Sequence, residues 1–375
     1  MARILDLAPH SAIYAGRLLA EAGHDVVRVE PPGGDAIRRL PPYLGGQPNI
    51  ELGAYHQFFN AGKRSFTLDA ASSEGLAVFR RLAVTADAII GPLPPALTPD
   101  TLHAEQPHLV IAVLINDDIE EICRYARSGM MALTGQPGRV PMLMGGHVLY
   151  AATGLWVGVA MASALLTQQL RGVGQILTVD VQQCIEVFNE QAMSTYATTG
   201  RRADRRGHRG AITPVSGAFQ ASDGWWMLSV PNTAERWYRF LEWVQDPVLA
   251  ANPSYAQEDG REAAKDVILD RIEKWSMSLK MREAVETAQS QGITSTPVQT
   301  PLDLVNDPQL THRGFLQDVA IPNVGTVAAP AGAIASLLGR PASRAPLLGE
   351  HTTALLAELG YDGPERLALF ERAVV

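Results

Sequence analysis

Cysteine is almost absent from this 375-residue chain, Cys123 and Cys184 being the only two. Two cysteines cannot make a disulfide framework, and so sparse a supply suits a reducing interior. The N-terminus MARILDLAPH lacks the long apolar run of a secretory signal, because Asp6 interrupts it, so the cytoplasm is the expected compartment. An excess of positive charge is missing too. The 39 acidic and 31 basic residues leave a net charge of −8, which argues against a nucleic-acid binder. Several site signatures are absent as well. No Gly-x-Ser-x-Gly supplies a hydrolase elbow, and the nine histidines show no metal-ligand spacing. The first strand-to-helix turn, APHSAIYAG, has no Gly-x-Gly-x-x-Gly to admit a dinucleotide, although Glu30 closes the second strand in the manner of an NAD site. GKRS at 62–65 lacks a hydroxyl residue directly after the lysine, and Gln57 stands where a phosphate loop needs glycine, so it is not an ATP site.

Charge is also missing from residues 140–170, VPMLMGGHVLYAATGLWVGVAMASALLTQQL. About 20 apolar residues suffice to cross a bilayer. Here Gly145, Gly146 and His147 break the first half, and Thr167, Gln168 and Gln169 close the second. The spacing predicts a helix over about 151–166, with Gly154, Gly158 and Ala162 four apart on a face that admits another backbone. A helix buried in a soluble core, without a membrane partner, is the expectation. Gly145, Gly146 and Tyr150 would then lie in the loop feeding that helix, where chemistry is often placed.

Elsewhere the composition is globular, 46% hydrophobic and 19% charged. Ile4–Leu7, a helix at 12–22 and the alternating DVVRVE at 25–30 make a βαβ opening. A helix at 72–84 and strands at 86–90, 109–115 and 175–181 continue it, which predicts an α/β fold with a doubly wound parallel sheet. PPGGD at 31–35 carries Arg38 and Arg39 beyond a strand's carboxyl end, either at a ligand site or on a solvated loop. Lys63 and Arg64 read as phosphate contacts or as plain surface. Arg201, Arg202, Arg205, Arg206 and Arg209 form a basic run that binds phosphates or acidic partners, or is a solvated linker. From 214 short strands around SDG and three helices near 234–244, 261–274 and 279–291 predict an α+β unit with a tryptophan-rich core, and a last helix is expected at 350–359. The expected division is a large domain at 1–200, a linker at 201–220, a small α+β domain at 221–310, and a return segment with a C-terminal helix at 311–375.

Several blocks, in order, resemble the family III CoA-transferases, the group that includes formyl-CoA and carnitine CoA-transferases and α-methylacyl-CoA racemase. Ala15 to Arg38 is similar to "A-x-x-L-A-x-x-G-A-x-V-x-K-V-E-P-P-G-G-D-x-x-R", and NAGKRSFTLD to "N-R-G-K-R-S-x-x-L-D". RYARSGMMALTGQP is similar to "Q-A-x-S-G-L-M-x-x-T-G-x-P", and GITSTPVQTPLDLVNDPQLTHRGF and APLLGEHT extend the likeness to the C-terminus. The resemblance implies a large Rossmann-like domain to which the C-terminus returns, a small domain, and two protomers threaded as interlocked rings. It also implies coenzyme A or an acyl-CoA as a non-covalently held substrate, with contacts through Arg38, Lys63, Arg64, Gly145 and Gly146. A residue near His10 would face the acyl group, or would cap the first helix.

The departures from that pattern decide the expected role. Relatives carry a catalytic aspartate in "D-x-x-T-G", and Tyr150 holds its place before Thr153 and Gly154. A carboxylate attacks a thioester to form a mixed anhydride, which a tyrosine cannot make. GPLPPALTPD replaces "E-N-F-R-P-G-x-x-x-R" and puts Asp100 where an arginine meets phosphate. The glycine loop after LVIAVLI is cut to NDDIEE, with Glu120 near the racemase histidine's place. The leading expectation is a non-catalytic subunit acting with an aspartate-bearing homologous partner, and the expected assembly is a homodimer or a heterodimer with a homologous CoA-transferase subunit. The alternatives are an acyl-CoA lyase or isomerase using Tyr150 and His147 for proton transfer, and a dimeric anion-binding protein.

Overall fold

Short aliphatic runs alternate with helices from the N-terminus: β1 (Arg3–Asp6), α1 (Tyr14–Glu21), β2 (Asp25–Glu30), α2 (Ala54–Phe59), β3 (Arg64–Thr67), α3 (Ser73–Val84) and β4 (Ala88–Ile90). The pattern continues through α4 (Pro99–Glu105), β5 (Val110–Ile115), α5 (Glu121–Arg127), the single turn α6 (Met130–Leu133), α7 (Val148–Arg171) and β6 (Ile176–Asp180). The six strands pair in parallel in the order β3-β2-β1-β4-β5-β6. The α/β class read from the alternation is therefore the observed one. Chain order reverses between β1 and β4, and in open α/β sheets ligands bind beyond the strand ends at that reversal.

The computed structural model describes residues 1–210 and 213–375. Two units build the chain, one from 1–130, 144–191 and 308–375, the other from 131–143 and 192–307. The expected linker at 201–220 includes 211 and 212, which lie outside the described residues.

Alternation along each strand of the first unit sends successive side chains to opposite faces of the sheet. Leu5, Val27, Phe66 and Ile89 meet Phe79 and Leu82 of α3 and Leu355 and Leu356 from the C-terminal segment. Ile4, Val26, Ile90 and Val110 meet Ala15 and Leu19 of α1 and Val157, Met161 and Leu165 of α7. Both faces are thus covered, as a parallel sheet requires. An antiparallel hairpin of β10 (Leu316–Ile321) and β11 (Gly325–Pro330) and a helix Thr352–Glu358 belong to the same unit. A second C-terminal helix, Gly363–Glu371, was not expected from the sequence. Asp362 starts it with a capping box to Glu365, and Gly363 and Pro364 in its first turn disguise it as a loop.

Helix α7 corrects the expected boundaries. It runs for 24 residues, so Tyr150 sits in its first turn and not in the preceding loop. Its polar end stays helical because the Gln168 amide donates to the carbonyls of Asp87 (3.1 Å) and His108 (2.6 Å). By length and mean hydropathy alone α7 could cross a bilayer. In the fold one face packs on α1 and the sheet, while Leu155, Trp156, Val159, Leu166 and Leu170 remain exposed in the single chain.

In the second unit β7 (Ser216–Ala221), β8 (Gly224–Ser229) and β9 (Thr294–Pro297) form an antiparallel sheet. Trp226 and Trp237 fill its core among Phe219, Phe240 and Ile272. Two arginines of the basic run do structural work in this unit. The Arg205 guanidinium donates to the carbonyls of Ala132, Gln136 and Arg139, and Arg209 pairs with Asp270 and Glu273.

The contact between α1 and α7 depends on glycine. A Cβ at Gly154 would lie 2.6 Å from the Tyr14 Cβ and 3.1 Å from the Ala15 nitrogen. Gly154→Ala is therefore expected to destabilise the protein by about 1–3 kcal/mol through overpacking. At Gly158 the nearest atom would be the Leu18 Cδ1 at 3.4 Å. Gly158→Ala is expected to be neutral or to gain up to about 1 kcal/mol of helix propensity. Urea unfolding of the two variants measures both, and a Gly154→Ala protein as stable as its parent would refute the account.

Candidate functional site

The loops that follow β1 and β4 leave the sheet in contact. The Leu7 amide donates to the Ile90 carbonyl at 2.8 Å, and a Cβ on Gly91 would lie 2.6 Å from the Leu7 carbonyl carbon. The β1–α1 loop is pinned at both ends by one carboxylate. Asp6 accepts from the Ala8 amide at 2.9 Å and from Lys63 at 2.6 Å, and the same Lys63 ammonium donates to the Ile13 carbonyl at 3.1 Å. Between those anchors Ser11 donates to Asp117, and His10 turns toward the start of α7. The residue that caps α1 is Ile13, not His10.

His10 sits in an aromatic cluster, its ring centroid 4.7 Å from Tyr150, 5.5 Å from His147 and 6.1 Å from both Tyr55 and Phe59. Its Nε2 is buried without a hydrogen-bond partner. Burial, reinforced by His147, pulls the imidazole down to about 4, so it is neutral near pH 7.

His147 is the N-cap residue of α7 and sits at the centre of a chain of polar groups. Its Nδ1 lies 3.3 Å from the Glu121 carboxylate and its Nε2 2.8 Å from the Tyr55 hydroxyl. A carboxylate only accepts, so Nδ1 carries the proton and Nε2 accepts from Tyr55. Glu121–His147–Tyr55 is thus a carboxylate–imidazole–phenol chain able to draw the proton from the Tyr55 oxygen onto the imidazole. Tyr150 stacks parallel to His147, with centroids 5.7 Å apart and planes within 4°. Burial, and then the Glu121 charge, raise the Tyr150 phenol above its ordinary value, which keeps it protonated and poorly nucleophilic. An apolar groove of about 460 Å³ opens beside this cluster, with Gly146, His147 and Tyr55 in its wall.

The structure therefore brings His10, His147 and Tyr150 together, with Gly146 at the groove and Gly145 in the exposed turn before it. The three predicted cations are engaged with carboxylates of the protein itself. Arg38 is fully buried, bidentate to Glu30 at 2.7 Å and paired with Glu51 at 2.8 Å. Lys63 is held by Asp6, and Arg64 by Glu358 at 2.7 Å and Asp25 at 3.4 Å. A buried charge has to be paired, and here internal acids supply the partners. His56, beside Arg38 at 3.1 Å, is pushed down to about 3 by burial and then by that guanidinium.

Sequence reasoning missed Tyr55 and Glu121. Tyr55 lies in AYHQFF and reads as one more core aromatic, and Glu121 belongs to the acidic string NDDIEE. No local spacing joins either of them to His147.

Comparison with known proteins follows this geometry. The family model for CoA-transferase family III matches residues 2–115 and 119–352, leaving out only 116–118 after β5 within that span. A succinyl-CoA:mesaconate CoA-transferase from Haloarcula marismortui is 27% identical over 96% of this chain and 96% of its own length. Subunit BbsE of the succinyl-CoA:(R)-benzylsuccinate CoA-transferase of Thauera aromatica is 27% identical over 96% of this chain and 93% of its own length. A solved structure of a CAIB/BAIF family protein from Brucella suis superposes with a TM-score of 0.81 at 25% identity, covering 96% of this chain and 98% of that one.

The depressed histidines make a pH prediction. Between an ordinary value of 6.5 and about 4, His10 takes a proton in the unfolded chain but not in the folded one. Stability is then expected to fall as pH drops through that window, with His56 adding to the slope. His10→Phe keeps a ring in the cluster and should make the slope shallower by up to one proton. Urea midpoints measured against pH read this directly, and an unchanged slope would mean that His10 is not held neutral.

Proposed function

This chain belongs to CoA-transferase family III, and from that membership we propose that it is a CoA-transferase subunit that does not itself carry the acyl group and works with a homologous, aspartate-bearing chain. One observation carries the reading. The group in the first turn of α7, at the place that the sequence resemblance gives to the nucleophile, is a phenol pressed between His10 and His147 and kept protonated. Anhydride formation needs an oxygen nucleophile that attacks the thioester carbonyl, expels the CoA thiolate and leaves a second acyl bond open to attack. A protonated phenol does not perform that first step.

Four further observations support the proposal. Asp100 lies in the first turn of α4, where a helix N-terminus favours a carboxylate, so its negative charge suits the fold and does not suit a nucleotide phosphate. Asp117, Glu120 and Glu121 each help to raise the Tyr150 phenol, so the site disfavours new negative charge. The exposed apolar face of α7 suits coverage by another protomer, in line with an interlocked dimer. The Thauera aromatica relative is itself named as a subunit. In this reading CoA or an acyl-CoA is a substrate of the assembly and not a covalent cofactor.

The Glu121–His147–Tyr55 chain favours a second reading, in which this chain performs acid–base chemistry of a lyase or isomerase kind on a bound acyl-CoA.

Co-expression with an aspartate-bearing homologue separates the two. Under the first reading the chains co-purify, hydroxylamine trapping after succinyl-CoA marks only the partner, and Tyr150→Phe leaves turnover of the complex within about threefold. Tyr150→Asp leaves the purified chain inactive on its own. His147→Ala is the deciding variant, costing less than about tenfold under the first reading, where His147 only lines the groove, and lowering turnover about 10²–10⁴-fold under the second. Acyl transfer by the purified chain alone, or hydroxamate formed on it, would overturn the subunit reading.

A further inference from the structure

The groove beside His147 has a wall chemistry that selects among acyl groups. Pro42, Phe58, Phe59, Val148 and Ala151 present carbon to it, and the Tyr55 hydroxyl is already bonded to His147. Its volume of about 460 Å³ falls within the roughly 300–1,000 Å³ of small-molecule pockets.

Charge around the groove restricts the occupant further. The guanidinium of Arg17 lies 4.2 Å over the Phe58 ring, but it is committed to Glu21 and to the carbonyls of Phe58 and Pro330. Arg38 is closed off between Glu30 and Glu51. Arg124 stands 3.8 Å from Asp117 with its terminal nitrogens shut away from solvent. Glu121 stands behind His147 as a negative charge. The groove wall itself holds no Lys, Arg, Asp or Glu among the described residues. A second carboxylate entering it would lose water, meet no cation and approach Glu121. An aromatic ring or branched alkyl chain loses nothing comparable and gains edge-to-face contacts with Tyr55 and Phe59.

We propose that this groove holds the uncharged hydrocarbon end of an acyl group, an aryl or branched alkyl monocarboxylic acid presented as its CoA thioester, and rejects dicarboxylic acyl groups. The proposal rests on the reading of the chain as a CoA-transferase subunit for the thioester alone; the preference for hydrocarbon follows from the wall. Ala151 and Val148, one on the half-buried and one on the exposed side of the first turn of α7, set its width.

Equilibrium binding of phenylacetyl-CoA, succinyl-CoA and free CoA to the full chain, alone and with its co-purifying partner, tests the assignment. Phenylacetyl-CoA is expected to bind about 10–100-fold more tightly than succinyl-CoA. Ala151→Trp and, independently, Val148→Trp should bring phenylacetyl-CoA down to the affinity of free CoA without changing that of CoA itself, with thermal unfolding confirming that each variant folds. Equal or tighter binding of succinyl-CoA overturns the proposal, as does a preference that survives both fillings or a failure to bind either thioester. Loss of subunit association in the two variants, with no effect on thioester binding, would assign the groove to a protein contact and overturn it equally. The subunit reading fails on a different measurement, covalent labelling of this chain, so the two outcomes are separable.

Discussion

The approach of α7 to α1 at Gly154 is the constraint from which the site follows. Two helices come this close only where one of them lacks a side chain, and here the missing Cβ is replaced by Tyr14 and the Ala15 amide of the other helix. That contact fixes the direction of α7, and its start, with His147 as N-cap and Tyr150 in the first turn, is carried against His10 in the loop that follows β1. The facing loop is held by an electrostatic device of equal economy. One buried carboxylate, Asp6, grips the Ala8 amide and the Lys63 ammonium, and Lys63 grips the far end of the loop through the Ile13 carbonyl. A steric fit and an ion pair thus converge on His10.

Buried charge is used here for geometry. Arg28 joins Asp6 and Asp35, and Arg38 joins Glu30 and Glu51, so charges on and beyond β1 and β2 are neutralised in sets. Such sets add little to stability compared with hydrocarbon, but removing one member leaves an uncompensated charge. The Lys63 ammonium shows the balance: burial pulls it down to about 8 although Asp6 pulls the other way. Conserving this arrangement demands the same residue types as a phosphate site would, which is why the two are hard to tell apart in a sequence.

The fold was largely legible, because a parallel sheet under two helical layers writes itself as local pattern. The run DVVRVE maps onto β2 from Asp25 to Glu30, and 72–84 onto α3 within a residue. Boundaries failed where a polar or special residue kept a helix going, as Gln168 does by bonding to carbonyls of the sheet layer, or where a capping box began one, as Asp362 does. Of the site, the sequence offered His10, His147 and Tyr150 through family resemblance, but not the partners that give His147 a role. Glu121 and Tyr55 reach it from 26 and 92 residues away in the chain, and no periodicity encodes that distance. Arg38, Lys63 and Arg64 carry the complementary lesson: a sequence records that a cation is present, and only packing decides whether an internal acid or a ligand receives it.

The sign of the site's electrostatics then separates the chemistry it suits from the chemistry it does not. Acyl transfer through an anhydride passes through oxyanions and releases a thiolate, and an environment suited to it places donors or cations where that charge develops. Around Tyr150 the arrangement is the reverse. Asp117, Glu120 and Glu121 all disfavour a phenolate, Arg124 alone opposes them, and its terminal nitrogens are turned inward. His10 is held neutral by burial and so lends no positive charge. What remains is a protonated phenol, a neutral imidazole and a second imidazole bridging a carboxylate to a hydroxyl, beside a hydrocarbon groove. Replacing one residue at position 150 would not reverse that field, since the acids of the segment after β5 and the inward-turned guanidinium would stay. Tyr150 and its surroundings agree with each other, and that agreement is what the proposed subunit role calls for.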